Sequence, residues 1–326
     1  MGQGTELKLT MKPRSDNPMV IAAAEATAMA RQKHILSIDL EDYFHVEAFA
    51  GSVSREQWSD FPARVEVNTH RLLDIFDRFD VKATFFVLGW VAWRFPGLVR
   101  QVQERGHDLA CHSYWHRRIY TLTPNEFRAD TRQARDTIEQ IAGVRVSGYR
   151  APSWSVTKDS LWALDILADE GFTYDSSIFP IRHDIYGIPN ASRYPYFHAG
   201  PQGEQLLEIP PATLRISGTN LPAAGGGYFR IFPMAYTEWA FRQFESELRP
   251  LVFYLHPWEL DPEQPRIAGP LKSRLRHYTN LGKTQKRLER LLERHEFQTF
   301  AEYMGGAASS ARAVNEKSVL LHTGTV

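Results

Sequence analysis

Between His34 and Tyr303, short unbroken apolar runs alternate with stretches whose apolar residues recur every third or fourth position. This rhythm constrains the fold more than any other feature of the chain. A strand apolar at successive positions must be covered on both faces, the condition met by a parallel sheet flanked by helices. HILSID, KATFFVLG, HDLACHS, VRVSGYR, FTYDSS and PLVFYLHPWE read as strands. VNTHRLLDIFDRF, GLVRQVQERG, TPNEFRADTRQARDTIEQIAG, TKDSLWALDILADEG and KTQKRLERLLERHE read as helices. Thr123-Pro124 and Thr157 supply helix starts, and Gly106 a stop. The expected class is α/β. If the sheet closes into a barrel, its functional residues gather at the C-terminal strand ends.

One domain over 34–304 is expected, with an irregular, loop-rich insertion at 179–249. Within that insertion LLEIPPATL reads as one strand, and PAAGGGYFR as a mobile loop or a close backbone approach. FQTFAEY reads as the strand or turn that closes the barrel. Residues 1–33 are expected to be a loosely ordered leader and 305–326 a disordered tail. MVIAAAEATAMA is too short to span a bilayer and carries Glu25 in its middle. The expected location is therefore the cytoplasm, with the periplasm as the alternative.

Lysine and arginine number 38, as do aspartate and glutamate. A chain with no net field does not bind nucleic acid tightly without sequence preference. A neutral polymer or small molecule suits it better. A single cysteine excludes both an internal disulfide and a cysteine-based zinc site. A metal must use histidine and carboxylate ligands.

The strand ends supply them. LSID ends in Asp39, followed by Glu41 and Asp42; LACHS ends at His112, with His116 beyond; SGYR ends in Arg150, FTYD in Asp175 and VFYLH in His256. A histidine pair four residues apart is weak evidence alone. It can share an ion if the chain turns helically after its strand. Beside a carboxylate cluster on a neighbouring strand end it becomes a metal centre of two histidines and an acid. One acid of the first cluster would be the third ligand and another the general base for water. Arg150 would hold and tune that base. His256 would act as general acid to the leaving amine, and Asp175 would orient it. Trp154, Trp258, Tyr228 and Phe229 are candidate sugar platforms. Strand alternation turns Cys111 away from His112, so it reads as a small buried residue.

SIDLED, HSYWH, YRAPSW, TYDSSIF and YLHPWE resemble, in order and spacing, the five motifs of the NodB-type polysaccharide deacetylases, the family-four carbohydrate esterases. The resemblance covers His34 to His256. It implies a distorted (β/α) barrel, a divalent metal (usually zinc, with cobalt or nickel as alternatives), and removal of N-acetyl groups from an amino-sugar polymer. It also implies Asp39 as base, His112 and His116 as ligands, Arg150 tuning Asp39 and His256 as acid. The DLEDYFH and HPWE variants resemble the subgroup encoded with bacterial exopolysaccharide export. Two departures stand out. Leu40 occupies the place of a usual second aspartate, which leaves the third ligand open between Glu41 and Asp42. Asp175 lacks the tryptophan that usually follows it. Two other functions remain: a same-fold amidohydrolase acting on a non-sugar amide, and a non-catalytic polysaccharide-binding protein.

Overall fold

The computed structural model describes residues 32–306. The expected leader and tail, including the apolar segment at 19–30, lie almost wholly outside that range.

In chain order the principal elements are β1 (His34–Leu40), α1 (Val65–Arg78), β2 (Thr84–Val87), α2 (Gly89–Arg94), α3 (Pro96–Glu104), β3 (Asp108–Cys111), α4 (Pro124–Ala142), β4 (Gly148–Tyr149), α5 (Trp162–Asp169) and β5 (Tyr174–Asp175). There follow β6 (Tyr196–Ala199), β7 (Gln205–Glu208), β8 (Thr213–Ile216), β9 (Thr219–Pro222), α6 (Gly226–Ile231), α7 (Met234–Ser246), β10 (Val252–Leu255), α8 (Leu271–Tyr278), α9 (Leu281–Arg294) and β11 (Phe297–Gln298). The main sheet runs β10-β1-β2-β3-β4-β5-β7-β6 and is parallel except for the β6–β7 pair. It curls without hydrogen bonds joining its edge strands, which gives an α/β distorted barrel. β11 does not bridge those edges as FQTFAEY was expected to. It pairs with the start of β1, His34 opposite Phe297.

Alternation along β1 divides the core. Leu36, Ile38 and Leu40 face the helices, in one cluster with Phe85, Val87, Leu109 and Cys111. Ile35 faces the barrel interior with Phe86, Ala110, Tyr174, Leu207 and Phe300. Tyr174 and Phe300 stack with ring centroids 5.1 Å apart and fill the interior. Ser37 and Asp39 follow Ile35 on its face, so Asp39 reaches the mouth of the barrel.

The helix starts take the form the sequence suggests. The Thr123 hydroxyl accepts from the Glu126 amide at 3.3 Å, and Glu126 accepts from the Thr123 amide at 2.8 Å, a reciprocal cap on α4. Helix α2 has no counterpart in the sequence reading. The segment 179–249 is more ordered than expected: it holds β6 to β9, α6 and α7. LLEIPPATL is two strands, because Pro210 and Pro211 lack the N–H groups a ladder needs. β7 joins the main sheet and β8 pairs only with β9. The glycine stretch is a close approach. Gly225, at φ +121°, bridges to Tyr254, and a Cβ there would lie 2.0 Å from the Tyr254 carbonyl oxygen.

Candidate active site

Arg150 organises the mouth of the barrel. Its side chain is fully buried, so its charge must be matched inside the protein. Nη1 donates to Asp39 Oδ1 at 2.6 Å and to the Ser37 hydroxyl at 2.9 Å. Nε and Nη2 reach the carbonyl and hydroxyl of Ser176. The guanidinium lies over the Phe86 ring, 3.9 Å from its centroid. The second Asp39 oxygen is left facing His256, with Oδ2 3.8 Å from Nε2.

Glu41, His112 and His116 form a buried triad whose ligand atoms lie within 4.8 Å of one another. His112 Nδ1 sits 2.8 Å from the Arg150 carbonyl. An oxygen acceptor there keeps the proton on Nδ1 and frees the Nε2 lone pair, as in metal-ligating histidines. Burial lowers the His112 pKa to about 4, which keeps the ring neutral. Glu41 Oε2 lies 2.8 Å from His116 Nε2 but makes no aligned hydrogen bond, although it is buried. Burial pushes the Glu41 carboxyl up, but the surrounding imidazoles of His116, His256 and His112 outweigh it and hold the group well below its ordinary value. An ionised, buried oxygen without a donor, facing two imidazole nitrogens, fits a cation.

Among the described residues a second trio, His34, Glu245 and His295, is also close enough to share an ion. It is satisfied without one. His34 Nδ1 accepts the Leu251 amide, so its Nε2 carries the proton toward Glu245 Oε1. His295 Nδ1 meets the same oxygen at 2.8 Å.

His256 is held by Glu259, three residues on. Glu259 Oε1 lies 2.7 Å from His256 Nδ1 and accepts its backbone amide at 3.1 Å. Burial lowers the His256 pKa, but the Glu259 hydrogen bond and the charges of Glu41, Glu259 and Asp39 overcome it and raise the value to about 9. The imidazolium form is the stable one at neutral pH. Glu259 is in turn paired with buried Arg230 at 2.5 Å.

Residues 58–174 match the family described as polysaccharide deacetylase. Over that segment the chain is similar to the polysaccharide deacetylases. The adjoining residues 176–305 match a domain of unknown function, DUF3473. The protein named "Putative polysaccharide deacetylase YheN" of Bacillus subtilis is 37% identical over 40% of this chain and 47% of its own. A peptidoglycan-N-acetylglucosamine deacetylase of Bacillus cereus is 30% identical over 30% of this chain and 36% of its own. The chain thus spans half or less of the length of these two curated deacetylases. A crystal structure described as a "putative polysaccharide deacetylase" from Mycobacterium smegmatis shares the fold, with TM-score 0.58 and 20% identity, covering 88% of this chain and 93% of that one.

Against the deacetylase motifs, the structure places several sequence-stretch residues differently than expected. Asp42, an open choice for third ligand, is not in the triad. Its Oδ2 accepts the amides of Arg64 and Val65 at 2.6 and 2.9 Å, and its Oδ1 that of Tyr43 at 2.9 Å. It anchors the start of α1. Asp175 does not orient His256; Glu259 does. Asp175 accepts from the Ser177 hydroxyl at 2.6 Å and lies opposite Glu208 in the β5–β7 register. Burial raises both carboxyls, Asp175 to about 6, and Glu208 is held well above its ordinary value by burial and by the facing Asp175. Ser177 also accepts the Ala151 amide at 2.8 Å, so the pair braces the turn that carries Arg150.

His112 and His116 do not lie on a helical turn. Ser113 and His116 take left-handed backbone conformations, φ +65° and +51°, and fold the loop back until the two rings are 5.3 Å apart. Asp130 on α4 holds this loop, accepting the amides of Tyr114 and Trp115 at 2.8 and 3.2 Å. The aromatic candidates are mostly packed. Trp154 is 5% exposed and lies 4.7 Å from the Arg150 guanidinium carbon. Trp258 stacks on His256 and His277, and its Nε1 donates to Glu41 Oε1 at 3.3 Å. Phe229 is buried against Phe253. The Tyr228 hydroxyl meets that of Tyr186 at 2.9 Å. Trp154 and Trp258 still contribute walls to a cavity of about 290 Å³ that contains Asp39, Glu41, His112, His116 and His256.

Sequence reasoning missed Glu259, Asp130 and Ser37. A signal existed for the first: an acid three residues after a strand-end histidine, in HPWE, has capping-box spacing. Asp130 looks like any polar residue of an amphipathic helix, and only the fold brings it to the loop.

Proposed function

We propose that this protein is a metal-dependent hydrolase that removes N-acetyl groups from an amino-sugar polysaccharide of the exopolysaccharide, chitin or peptidoglycan kind. The observation that carries this is the buried Glu41 oxygen without a donor, facing His112 and His116 beside the Arg150–Asp39 and Glu259–His256 pairs. The names of the relatives support the amino-sugar substrate.

Glu41, His112 and His116 would hold the cation, zinc by preference and cobalt or nickel as substitutes. When bound, it supplies Lewis-acid polarisation of the acetamide carbonyl and acidifies water. Asp39 takes a proton from the attacking water through Oδ2, while Arg150 occupies Oδ1 and keeps the carboxylate fixed. His256 gives its proton to the departing nitrogen, and Glu259 stabilises the imidazolium beforehand. The carbonyl carbon gains an oxygen, the C–N bond breaks, and acetate and a free amine leave. Trp258 holds Glu41 in orientation through its indole N–H.

The test is metal analysis together with acetate release from N-acetylglucosamine oligomers. Chelation should abolish release and zinc, cobalt or nickel should restore it. Asp39→Asn should keep the metal and lose roughly 10²–10⁴ in turnover, whereas His112→Ala should lose the metal. A metal-loaded protein that cleaves only non-sugar amides, or binds polymer without releasing acetate, would overturn the reading.

A further inference from the structure

The cavity that holds the reacting groups has a second wall, built from α8 and the segment 182–187, and its charge balance differs from the rest. Three of the other charged groups that line the cavity have a partner of opposite charge. Asp39 is matched by Arg150, Arg230 by Glu259, and Glu47 by Arg118 at 3.1 Å. On the second wall, Arg276 and Lys272 line the cavity, and among the described residues neither has a carboxylate within 4.0 Å. Asp184, on the same segment, also lines the cavity but is exposed and pairs with neither.

The groups that the Arg276 guanidinium itself meets are uncharged. Nη2 donates to the Tyr186 hydroxyl at 3.2 Å, and the guanidinium carbon lies 5.3 Å from the centroid of the Tyr228 ring. Nη1 lies 3.4 Å from His183 Nε2. That approach does not join a donor to an acceptor. His183 Nδ1 already accepts the Ile185 amide at 3.2 Å, which puts the ring proton on Nε2. The ring is neutral, its pKa lowered to about 4 by burial and by the Arg276 cation. Two N–H groups therefore converge beside a lysine, with no acceptor between them. Gly227 keeps the approach open: a Cβ there would stand 3.5 Å from Arg276 Nε, so a longer side chain would cover the guanidinium.

Converging donors without an acceptor are what an anion completes, and a planar guanidinium fork matches a carboxylate. We propose that Arg276, with His183 and Lys272, forms a subsite for a carboxylate on the sugar next to the one deacetylated. The inference rests on the hydrolase reading above and adds to it an acidic substrate. It refines the expectation of a neutral polymer: the chain as a whole is uncharged, but this wall is not. The carboxylate can belong to a uronate ring or to a carboxyalkyl ether on an amino sugar.

The experiment uses the full chain, metal-loaded, with the Asp39→Asn substitution so that ligands survive. Affinities are measured for three oligomers of equal length: neutral N-acetylglucosamine, one with a neighbouring uronate, and one with a neighbouring lactyl ether. At least one acidic oligomer should bind about tenfold more tightly than the neutral one. The acidic oligomer that binds tighter names the source of the carboxylate. The preference should shrink with added salt, fall to near unity on adding Arg276→Gln, and return in part with Arg276→Lys. Neutral-oligomer binding serves as the folding control, and Lys272→Gln as a second variant should reduce the preference if Arg276→Gln fails to fold. Equal affinity for all three oligomers, or a preference indifferent to both substitutions, overturns the subsite. Acetate release from the neutral oligomer by the unsubstituted protein is read separately, so failure of the hydrolase reading is distinguishable from failure of the subsite.

Discussion

Glu41 and Asp42 are neighbours, both buried and both acidic, yet their surroundings give them unrelated tasks. The Asp42 oxygens are taken by backbone amides, whereas Glu41 offers an oxygen that no donor reaches. Glu41→Gln should therefore abolish metal binding. Asp42→Ala should leave metal stoichiometry intact and lower unfolding free energy by about 1 kcal/mol, the cost of a lost helix cap. Metal analysis and denaturant unfolding of the two variants separate these outcomes. The same scale holds a pH prediction. The folded-state pKa of His256, about 9, lies above the ordinary 6.5. Its contribution to stability is thus fully present below pH 6.5 and is lost as pH rises through about 9. In the metal-free protein, Glu259→Gln should move the midpoint of the His256 ring resonances down toward the ordinary value. A midpoint that stays put would assign the shift to Asp39 and Glu41 instead.

At the scale of elements, β3 and α4 act together. β3 delivers His112 to the barrel mouth, and α4 reaches over with Asp130 to hold the loop that returns His116. Two left-handed residues in that loop are strained without such support. Asp130→Ala should weaken metal affinity by about 10–100-fold, as removal of an outer support does in metal sites. Titration with zinc in a competing chelator would measure it, and unchanged affinity would show that the loop holds itself. The elements differ in how legible they were. β1, α1, β2, β3, α4 and β10 follow from apolar run, periodicity and cap. β4 and β5 were read too long, because only two residues of each pair with neighbours. α2 was missed because its six residues, GWVAWR, are too few to display a helical period.

Across the whole molecule, Arg150 ties the interior to the site. It rests on Phe86 above the Tyr174–Phe300 stack and grips Asp39 at the mouth. Arg150→Met would leave Asp39 buried and unmatched, at a cost of about 3–5 kcal/mol. Chemical denaturation should show that loss together with loss of turnover, whereas a purely catalytic role would spare stability.

The strand ends that carry Asp39, His112, Arg150, Asp175 and His256 could be read from the sequence alone, because apolar runs must be buried and their polar termini must lie at one edge. The outward direction of Cys111 followed from the same alternation. The choice between Glu41 and Asp42 could not, since both have the same charge and adjacent positions. It depended on where the start of α1 presents its amides, some 20 residues later. The HPWE spacing does point from His256 to Glu259, but the chain order could not show that Asp175 stays away from His256, or that Arg276 comes to the same cavity without an acid beside it. Partners, free oxygens and unmatched charges are properties of the space between elements, and only the packed chain defines that space.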